Sequence, residues 1–317
     1  MKKLLITRAL PEATLAAARA RFDVTLRTET TGLTVAEAAA ALRDYDAILP
    51  TLGDGFAAAA FTGAIRCGVL ANFGVGYNHI DVAAARAAGV CVSNTPDAVT
   101  DATADIGMTL ILSACRRAGE GERLVRAGQW TGWQPTQMLG THVTGKTVGI
   151  VGMGRIGQAV ARRCLYGFNM PVLYFNRSPK MVDMPAQQVD SLHDLMGRAD
   201  IIVVTVPGGG SNTGLIDAAA LAAMKPNGIF VNIARGDVVD EDVLIAALQK
   251  RQIAGAGLDV FAKEPIVPDA LRALENVVIL PHLGTAALEV REAMGQMALD
   301  NIIAWDEGRA LPQGLTS

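Results

Sequence analysis

The sequence lacks several features that would assign its 317 residues to particular classes of protein. No terminal stretch has the order of charged, apolar and small residues that is typical of a signal peptide. No uninterrupted apolar run is long enough to span a bilayer. The net charge of -3 leaves no excess of positive charge, which argues against nucleic acid or an anionic membrane as the main partner. We therefore expect a cytoplasmic protein.

Cysteine is scarce as well. Cys67, Cys91, Cys115 and Cys164 are scattered along the chain and do not show the C-x-x-C spacing. A disulfide framework or a metal site would place its cysteines in a more regular pattern. We therefore expect four buried thiols in a reducing compartment, and no metal.

The composition provides ample material for large cores, since 50% of the residues are hydrophobic and only 19% are charged. The length is typical of two domains. Short apolar runs alternate with alanine-rich helical segments, which predicts βαβ units and parallel sheets. Thr34 and Glu37 have the spacing of a capping box, which predicts the start of a helix. The predicted strands of the first part of the chain are 2–7, 22–26, 45–50, 66–72 and 90–94.

The strongest motif lies between Thr147 and Gly157. An apolar strand candidate ends in glycine, and Gly152, Gly154 and Gly157 then have the G-x-G-x-x-G spacing before a segment of helical composition. In this context the glycines allow a tight turn, a close approach of the backbone to a pyrophosphate, and close packing of helix on strand. The N–H groups at the start of the helix would hold the phosphates. The motif therefore predicts a dinucleotide site.

Six strand candidates separated by helices form a complete dinucleotide-binding domain of the Rossmann type. They are 148–151, 172–175, 201–205, 229–233, 254–259 and 277–280. A long final helix at 286–305 has no further strand after it, so we expect it to return to the first domain. The predicted domains are 1–98 with 287–317, and 99–286.

A glycine pair follows the fourth strand of the first domain, in the segment Asn72-Phe-Gly-Val-Gly-Tyr77. Gly74 and Gly76 leave backbone N–H groups open at the carboxyl end of a strand, where ligands bind in open α/β sheets. An ordinary glycine turn explains the segment equally well. The residues alone leave both interpretations open.

The segment 116–145 is more polar and has few strong helix signals. It carries Trp130 and Trp133 close together. Tryptophans rarely lie on an exposed loop without a partner. We therefore favour an arm at about 117–146 that packs on a second subunit, with a long loop around its own aromatic core as the alternative.

The end of the second Rossmann strand predicts which nicotinamide cofactor is used. An NAD site has an acidic residue there, which bonds the ribose 2′-OH. Here the strand ends in Asn176, Arg177 and Ser178, and Lys180 adds charge. A carboxylate would repel a 2′-phosphate, whereas a guanidinium, an amide and a hydroxyl would bind it. The residues therefore favour NADP over NAD, and a polar turn without cofactor specificity is the alternative.

Three reactive side chains follow strands of the second domain. Arg235 follows strand 229–233, Glu264 follows 254–259, and His282 follows 277–280. The carboxyl ends of parallel strands meet at one edge of a sheet, so these side chains should face the nicotinamide. Histidine can protonate the alkoxide that hydride transfer to a carbonyl produces, and a carboxylate would orient the imidazole. An arginine can hold a substrate carboxylate and polarise the adjacent carbonyl.

The chain resembles the D-isomer-specific 2-hydroxyacid dehydrogenase family over essentially its whole length. The matching segments are Gly152-Met-Gly-Arg-Ile-Gly157, Val231-Asn-Ile-Ala-Arg-Gly-Asp-Val-Val-Asp240, Gly257-Leu-Asp-Val-Phe-Ala-Lys-Glu-Pro265 and Leu280-Pro-His-Leu-Gly284. The order and the spacing of these segments are highly specific. The resemblance implies a Rossmann cofactor domain inserted into a flavodoxin-like substrate domain, both doubly wound parallel-sheet folds, and a homodimer built on the cofactor domain.

The resemblance also implies roles for particular residues. Arg235 binds substrate, His282 is the acid/base and Glu264 is its partner. The amides of Val75 and Gly76 receive the substrate carboxylate. Asp259 helps to place the nicotinamide carboxamide, and Thr103 contacts the cofactor from a Thr-Ala-acid motif in which Asp105 replaces the usual glutamate. The whole implied cofactor-binding set is Thr103, Gly152, Gly154, Arg155, Ile156, Gly157, Asn176, Arg177, Ser178, Val206, Pro207, Ile233, Ala234, Arg235, Asp259, His282 and Gly284.

Within the family, the segment Asn176–Ser178 and the compact length are similar to those of the NADPH-using glyoxylate/hydroxypyruvate reductases. The expected reaction is hydride transfer from NADPH to C2 of a small 2-oxo acid, with NAD as a possible cofactor. Side-chain selectivity should come from Asn72, Phe73, Met138 and Leu139. The alternatives are a dehydrogenase for bulkier 2-oxo acids and a non-catalytic corepressor-like module that senses nicotinamide.

Overall fold

The computed structural model describes residues 1–315 of the chain. Its contacts divide the chain into two compact units, residues 1–99 with the segment that begins at Thr285, and Thr100–Gly284. These divisions lie within two residues of the boundaries expected from the sequence. Each unit contains one parallel sheet with helices on its faces. Within residues 1–315, no helix combines the length and the apolar character that a membrane crossing requires.

The first unit has a five-stranded sheet in the order β2-β1-β3-β4-β5, and every pair is parallel. This is the flavodoxin-like order. The strands are β1 Lys3–Ile6, β2 Asp23–Leu26, β3 Ala47–Leu49, β4 Val69–Ala71 and β5 Cys91–Ser93. The helices are α1 Glu12–Arg19, α2 Val35–Asp44, α3 Val82–Ala87 and the final helix Leu288–Asp306.

Both faces of the first sheet are covered, which explains why its central strands β1, β3 and β4 contain continuous buried apolar runs. Ile48 and Leu70 face Leu42 of α2, while Leu4 lies on the other side with Ile302 of the final helix. The predicted capping box is confirmed at the start of α2. Thr34 accepts a hydrogen bond from the Glu37 N–H at 3.2 Å, and the Glu37 carboxylate accepts one from the Thr34 N–H at 2.7 Å.

The second unit has a seven-stranded sheet in the order β12-β11-β10-β9-β6-β7-β8, again with parallel pairs. Numbered within the unit, this is the Rossmann order. The strands are β6 Val148–Val151, β7 Val172–Phe175, β8 Gln187–Gln188, β9 Ile201–Val204, β10 Ile229–Asn232, β11 Gly255–Leu258 and β12 Val277–Ile279. The predicted fold class is confirmed, although β8 was missed because two glutamines form no apolar run.

The second unit has seven α-helices in the described structure. They are α4 Thr100–Cys115, α5 Ala118–Arg126, α6 Arg155–Phe168, α7 Leu192–Arg198, α8 Ala218–Ala222, α9 Glu241–Gln249 and α10 Asp269–Arg272. Met108 of α4 and Cys164 of α6 are buried together with Ile150 on one side of the sheet. Leu195 of α7 and Leu244 of α9 belong to the core on the other side.

Two expectations need correction. The segment 116–145 was expected to have little helix, yet α5 lies within it and buries none of its side chains. Gly119 and Gly121 weaken its helix propensity, but an ion pair between Arg117 and Glu120 supports its first turn. The cysteines were all expected to be buried, but Cys91 is exposed at the start of β5. Burial raises the pKa values of the other thiols, those of Cys67, Cys115 and Cys164, to about 12, so they are unreactive.

Candidate active site

The glycine-rich turn joins β6 to α6 and has the geometry that a pyrophosphate needs. Gly152 has a φ of 99°, and a Cβ there would lie 2.6 Å from Val206 Cγ1. A Cβ at Gly157 would lie 2.2 Å from the Gly152 carbonyl oxygen, so the helix packs closely on the turn. Gly154 precedes the first helical residue, Arg155, and open space surrounds the position of its missing Cβ. The turn is therefore a cradle with exposed backbone, and it fits a dinucleotide.

The polar turn after β7 is tied to this cradle. Asn176 Oδ1 accepts a hydrogen bond from Met153 N at 3.2 Å, and Asn176 Nδ2 donates to the Ser178 carbonyl oxygen at 2.7 Å. Arg177 is exposed, and its Nη1 donates to Ser211 Oγ at 2.5 Å. The turn thus presents a guanidinium and a hydroxyl, with no carboxylate between Asn176 and Ser178.

Arg235 lies in the turn that follows β10. Asn232, which is buried at the end of that strand, holds the turn from both sides. Its Oδ1 accepts from Ala234 N at 3.0 Å, and its Nδ2 donates to the Arg235 carbonyl oxygen at 3.0 Å. Burial lowers the pKa of Arg235, while the charges of Glu264 and Asp237 act in the opposite direction. Ile233 and Ala234, two members of the predicted cofactor set, are buried with exposed fractions of 5% and 7%.

His282 and Glu264 meet directly. His282 Nδ1 lies 2.7 Å from Glu264 Oε2, and the side chains are 30% and 28% exposed. The other carboxylate oxygen of Glu264 accepts from Phe261 N at 3.0 Å. Burial alone would raise the pKa of Glu264, but the hydrogen bond and the charge of His282, with smaller contributions from Phe261 N–H and Arg235, leave it lowered. Glu264 is therefore held as a carboxylate that orients the imidazole.

Asp259 shapes the turn that carries His282. Its carboxylate, which is 1% exposed, accepts from Leu283 N at 2.6 Å and from Gly284 N at 2.8 Å. The Asp259 carbonyl oxygen accepts from His282 N at 3.0 Å, and His282 has a φ of 55°. Thr103 Oγ1 donates to the Gly284 carbonyl oxygen at 3.2 Å, which ties α4 to the same turn. Burial raises the pKa of Asp259, although the two N–H donors and the charge of His282 oppose the shift.

Neighbouring strands bring these turns together. Strands β10, β11 and β12 are consecutive in the sheet, so Arg235, Glu264 and His282 follow adjacent strand ends. The turns after β10 and β11 are in contact, since a Cβ at Gly236 would lie 1.9 Å from the Phe261 carbonyl carbon. The second unit therefore places a guanidinium, a carboxylate and an imidazole at one sheet edge.

The segment after β9 was only partly anticipated. Val206 and Pro207, two members of the predicted cofactor set, follow this strand, and a Cβ at Gly208 would lie 2.6 Å from Arg235 Cγ. Sequence reasoning missed Asp237, whose Oδ2 accepts from Gly209 N at 2.7 Å and whose carbonyl oxygen accepts from Gly214 N at 2.8 Å. Asn232 and Ser211 were missed too. No spacing pattern in the sequence predicts a role for any of these three residues.

In the first unit, the loop after β4 is held by buried amide side chains. Asn72 is 0% exposed, and its Nδ2 donates to the carbonyl oxygens of Gly74 at 2.9 Å and Gly76 at 3.0 Å. Asn94 Nδ2 donates to the Val75 carbonyl oxygen at 2.9 Å. Three successive carbonyl groups are thus fixed by internal donors, which is more structure than an ordinary glycine turn requires.

Phe73, in contrast to Asn72, borders open space. It lines a cavity of about 350 Å³ in the first unit, together with Leu10, Leu288 and Arg291. Asn72 was expected to help select the substrate side chain, but it is buried and engaged with the loop backbone. Among residues 1–315, no group of three or more His, Cys, Asp or Glu side chains is placed to hold a metal ion.

The chain is similar to a known family of dehydrogenases. The model of the D-isomer specific 2-hydroxyacid dehydrogenase NAD-binding domain matches residues 108–284. The chain therefore belongs to this family, which confirms the resemblance inferred from the four sequence segments.

The particular relatives are reductases and dehydrogenases. Glyoxylate reductase of Thermococcus gammatolerans is 40% identical over 316 residues, covering 98% of this chain and 94% of that protein. Glycerate dehydrogenase of Hyphomicrobium methylovorum is 37% identical over 310 residues, covering 96% and 95%. An NADPH-dependent glyoxylate/hydroxypyruvate reductase from Sinorhizobium meliloti, solved with NADP and malonate, has a TM-score of 0.88 at 33% identity and covers 99% of this chain and 97% of its own.

Proposed function

We propose that the protein reduces a small 2-oxo acid of the glyoxylate or hydroxypyruvate type to the D-2-hydroxy acid, with NADPH as the cofactor. The contact of 2.7 Å between His282 Nδ1 and Glu264 Oε2, beside the turn of Arg235, is the observation that carries this proposal. Relatives named glyoxylate reductase and glycerate dehydrogenase support the substrate class. The nicotinamide ring, when bound, supplies the hydride.

His282 is the residue that we assign to proton delivery. Reduction of a carbonyl leaves an alkoxide, and an imidazolium can protonate it near neutral pH. Because Nδ1 faces Glu264, Nε2 is the ring nitrogen left to face the substrate. The carboxylate of Glu264 keeps the ring in this orientation through the contact with Nδ1.

Arg235 and the loop of the first unit are assigned to the substrate carboxylate. A guanidinium can bind a carboxylate with two parallel hydrogen bonds and can polarise the adjacent carbonyl. The N–H groups of Val75 and Gly76 are the second proposed partner. The hydrogen bonds from Asn72 and Asn94 support this role, because they fix the loop backbone through its carbonyl groups.

The preference for NADPH is proposed from the turn after β7. Asn176, Arg177 and Ser178 offer an amide, a guanidinium and a hydroxyl where an NAD site has a carboxylate. The NADP-bound relative from Sinorhizobium meliloti supports this choice. The remaining cofactor contacts are proposed at the glycine cradle, at Thr103 and at the turns of Val206 and Asp259, as the family resemblance implies.

The proposal is tested by steady-state oxidation of NADPH and NADH with glyoxylate, hydroxypyruvate and a series of bulkier 2-oxo acids. We expect turnover with the two small acids and a higher kcat/KM with NADPH. Arg177→Ala should lower kcat/KM for NADPH about tenfold and leave that for NADH unchanged, since a charge-assisted contact is lost. Arg198→Ala, at an exposed arginine on α7, serves as the matched control. Equal losses with both cofactors would refute the 2′-phosphate role of Arg177.

Two alternatives have distinct outcomes in the same assay. A dehydrogenase for bulkier acids would favour the larger members of the series, and the cavity beside Phe73 is the observation that keeps this candidate open. A corepressor-like module would bind NADPH without any turnover.

The arm is proposed to form a homodimer. Trp130 and Trp133 are 53% and 79% exposed in the single chain, and Leu139 is 67% exposed. Large exposed apolar side chains of this kind are typical of a surface that is buried against a partner subunit. Sedimentation velocity should show a dimer, and Trp133→Ser should shift the distribution toward monomer. A monomeric wild-type protein would overturn this assignment.

A further inference from the structure

The segment after β9 carries a hydroxyl that the nicotinamide chemistry does not use. Ser211 lies in a short 3-10 turn, Gly210–Asn212, and its Oγ accepts the hydrogen bond of 2.5 Å from Arg177 Nη1. Arg177 belongs to the turn after β7. The two residues come from different strands, and no sequence motif connects them.

The position of this contact in the sheet is informative. Strand β6 pairs with β7 on one side and with β9 on the other. A bond from the end of β7 to the segment after β9 therefore crosses the carboxyl end of β6, where the glycine cradle lies. The segment after β9 is also in contact with the cradle, since a Cβ at Gly152 would lie 3.0 Å from Val206 N. This is the switch point of the sheet, across which a dinucleotide binds.

We propose that Ser211 is a binding residue for the 2′-phosphate of the adenosine ribose, and that it acts together with Arg177 as a clasp. This inference rests on the proposed use of NADPH. It assigns cofactor selectivity to two loops of the second unit instead of one.

The segment around Ser211 is held in place independently of Arg177. Asn212 is 6% exposed, and its Nδ2 donates to the Pro207 carbonyl oxygen at 2.9 Å. Asp237 accepts hydrogen bonds on both sides of Ser211 in the chain. Its Oδ2 accepts from Gly209 N, and its carbonyl oxygen accepts from Gly214 N. Ser211 itself is exposed. Its hydroxyl is therefore presented from an anchored backbone, so little loop ordering is needed when a ligand binds.

The chemistry of the hydroxyl suits a phosphate group. Ser211 Oγ accepts from Arg177 with one lone pair, which leaves its own O–H free to donate. A phosphate oxygen is a strong acceptor and can receive bonds from both the hydroxyl and the guanidinium. The ribose of NADH carries a neutral 2′-OH at the same position, which gains much less from a cationic neighbour. Ser211 should therefore favour the phosphorylated cofactor selectively.

The test is isothermal titration of the full-length protein with adenosine 2′,5′-bisphosphate and with adenosine 5′-monophosphate, which differ only in the 2′-phosphate. Ser211→Ala should weaken the bisphosphate about ten- to a hundredfold, the range of a hydrogen bond to a charged group, and leave the monophosphate unchanged. Ser211→Asp should weaken the bisphosphate more strongly, because its carboxylate pairs with Arg177 and repels the phosphate. Ser211→Thr, which retains the hydroxyl, should bind as the wild type does.

The possible outcomes distinguish the role of Ser211 from the proposed use of NADPH. Equal weakening of both ligands by Ser211→Ala would show a purely structural role and would overturn the clasp. Selectivity that is lost in Arg177→Ala but intact in Ser211→Ala would overturn the clasp and leave the NADPH proposal standing. A wild-type protein that binds both ligands equally would overturn the two together.

Discussion

The carboxyl edges of the two parallel sheets are built from opposite kinds of group. At the edge of the first unit, the loop Asn72–Gly76 is uncharged, and buried amide side chains hold its carbonyl groups. At the edge of the second unit, Arg235, Glu264 and His282 bring charge to adjacent strand ends. The sheets are alike in being parallel and covered on both faces, so the difference arises entirely in the loops.

Burial explains why the two edges are stabilised differently. An uncharged backbone loop can be fixed by neutral hydrogen bonds from a fully buried side chain such as Asn72. Charged groups are costly to bury alone, so Glu264 is paired with His282, and Asp259 is surrounded by N–H donors. Parallel sheets thus offer a common edge, whereas the loop residues decide which chemistry that edge can support.

The largest effect is expected at the charged edge. His282→Ala should lower kcat about 10³-fold, because the positioned proton donor is lost, and should leave the dissociation constant for NADPH unchanged. Single-turnover kinetics and titration with NADPH measure the two quantities. Glu264→Gln, which keeps a hydrogen-bonding side chain, should lose less. Turnover that survives in His282→Ala would mean that another group delivers the proton.

Arg235→Lys should have the next largest effect. The charge is retained, but the planar fork that binds a carboxylate with two parallel bonds is lost, so kcat/KM for the 2-oxo acid should fall about 10²-fold. Arg198 is exposed and forms an ion pair with Asp194, so Arg198→Lys is the matched control and should behave as the wild type does. If Arg235→Lys is fully active, the bidentate clamp is wrong.

Substitutions that loosen the uncharged loop of the first unit should change both KM and the stability of the protein. Asn72→Ala removes a buried side chain that donates hydrogen bonds to two carbonyl groups of the loop. This loss should lower the free energy of unfolding by about 1–3 kcal/mol. The loosened loop should also raise KM for the 2-oxo acid without changing the NADPH dissociation constant. Asn94→Ala removes a single bond and should have a smaller effect. A loss of stability with KM unchanged would show that the loop does not bind the substrate.

The smallest effect concerns acid stability. The pKa of Glu264 is lowered in the folded protein, so its carboxylate stabilises the native state fully above the pKa of the unfolded chain, about 4.3. This contribution is lost as pH falls through the lower folded-state pKa. The difference in urea midpoint between the wild type and Glu264→Gln should therefore shrink as the pH falls below the unfolded-chain value of about 4.3. A difference that grows on acidification would contradict the lowered pKa.

Much of the fold could be predicted because its signals are local. Apolar runs marked the longer strands, and the spacing of Thr34 and Glu37 marked a helix start that the structure confirms. Strand β8 and helix α5 were not predicted, because two glutamines and a glycine-containing polar segment have no periodic apolar pattern. The exposure of Cys91 was missed because an apolar run does not reveal which strand end faces solvent.

Residue type and spacing act over short distances along the chain, so the amino-acid order was enough to predict the two-sheet architecture, the glycine cradle and the candidates Arg235, Glu264 and His282. The contacts of Asn72 with the backbone of its own loop and of Ser211 with Arg177 became visible in the folded chain alone. Such contacts depend on which strand ends become neighbours in the sheet. Strand order is set by the packing of the whole unit, and no short segment contains it.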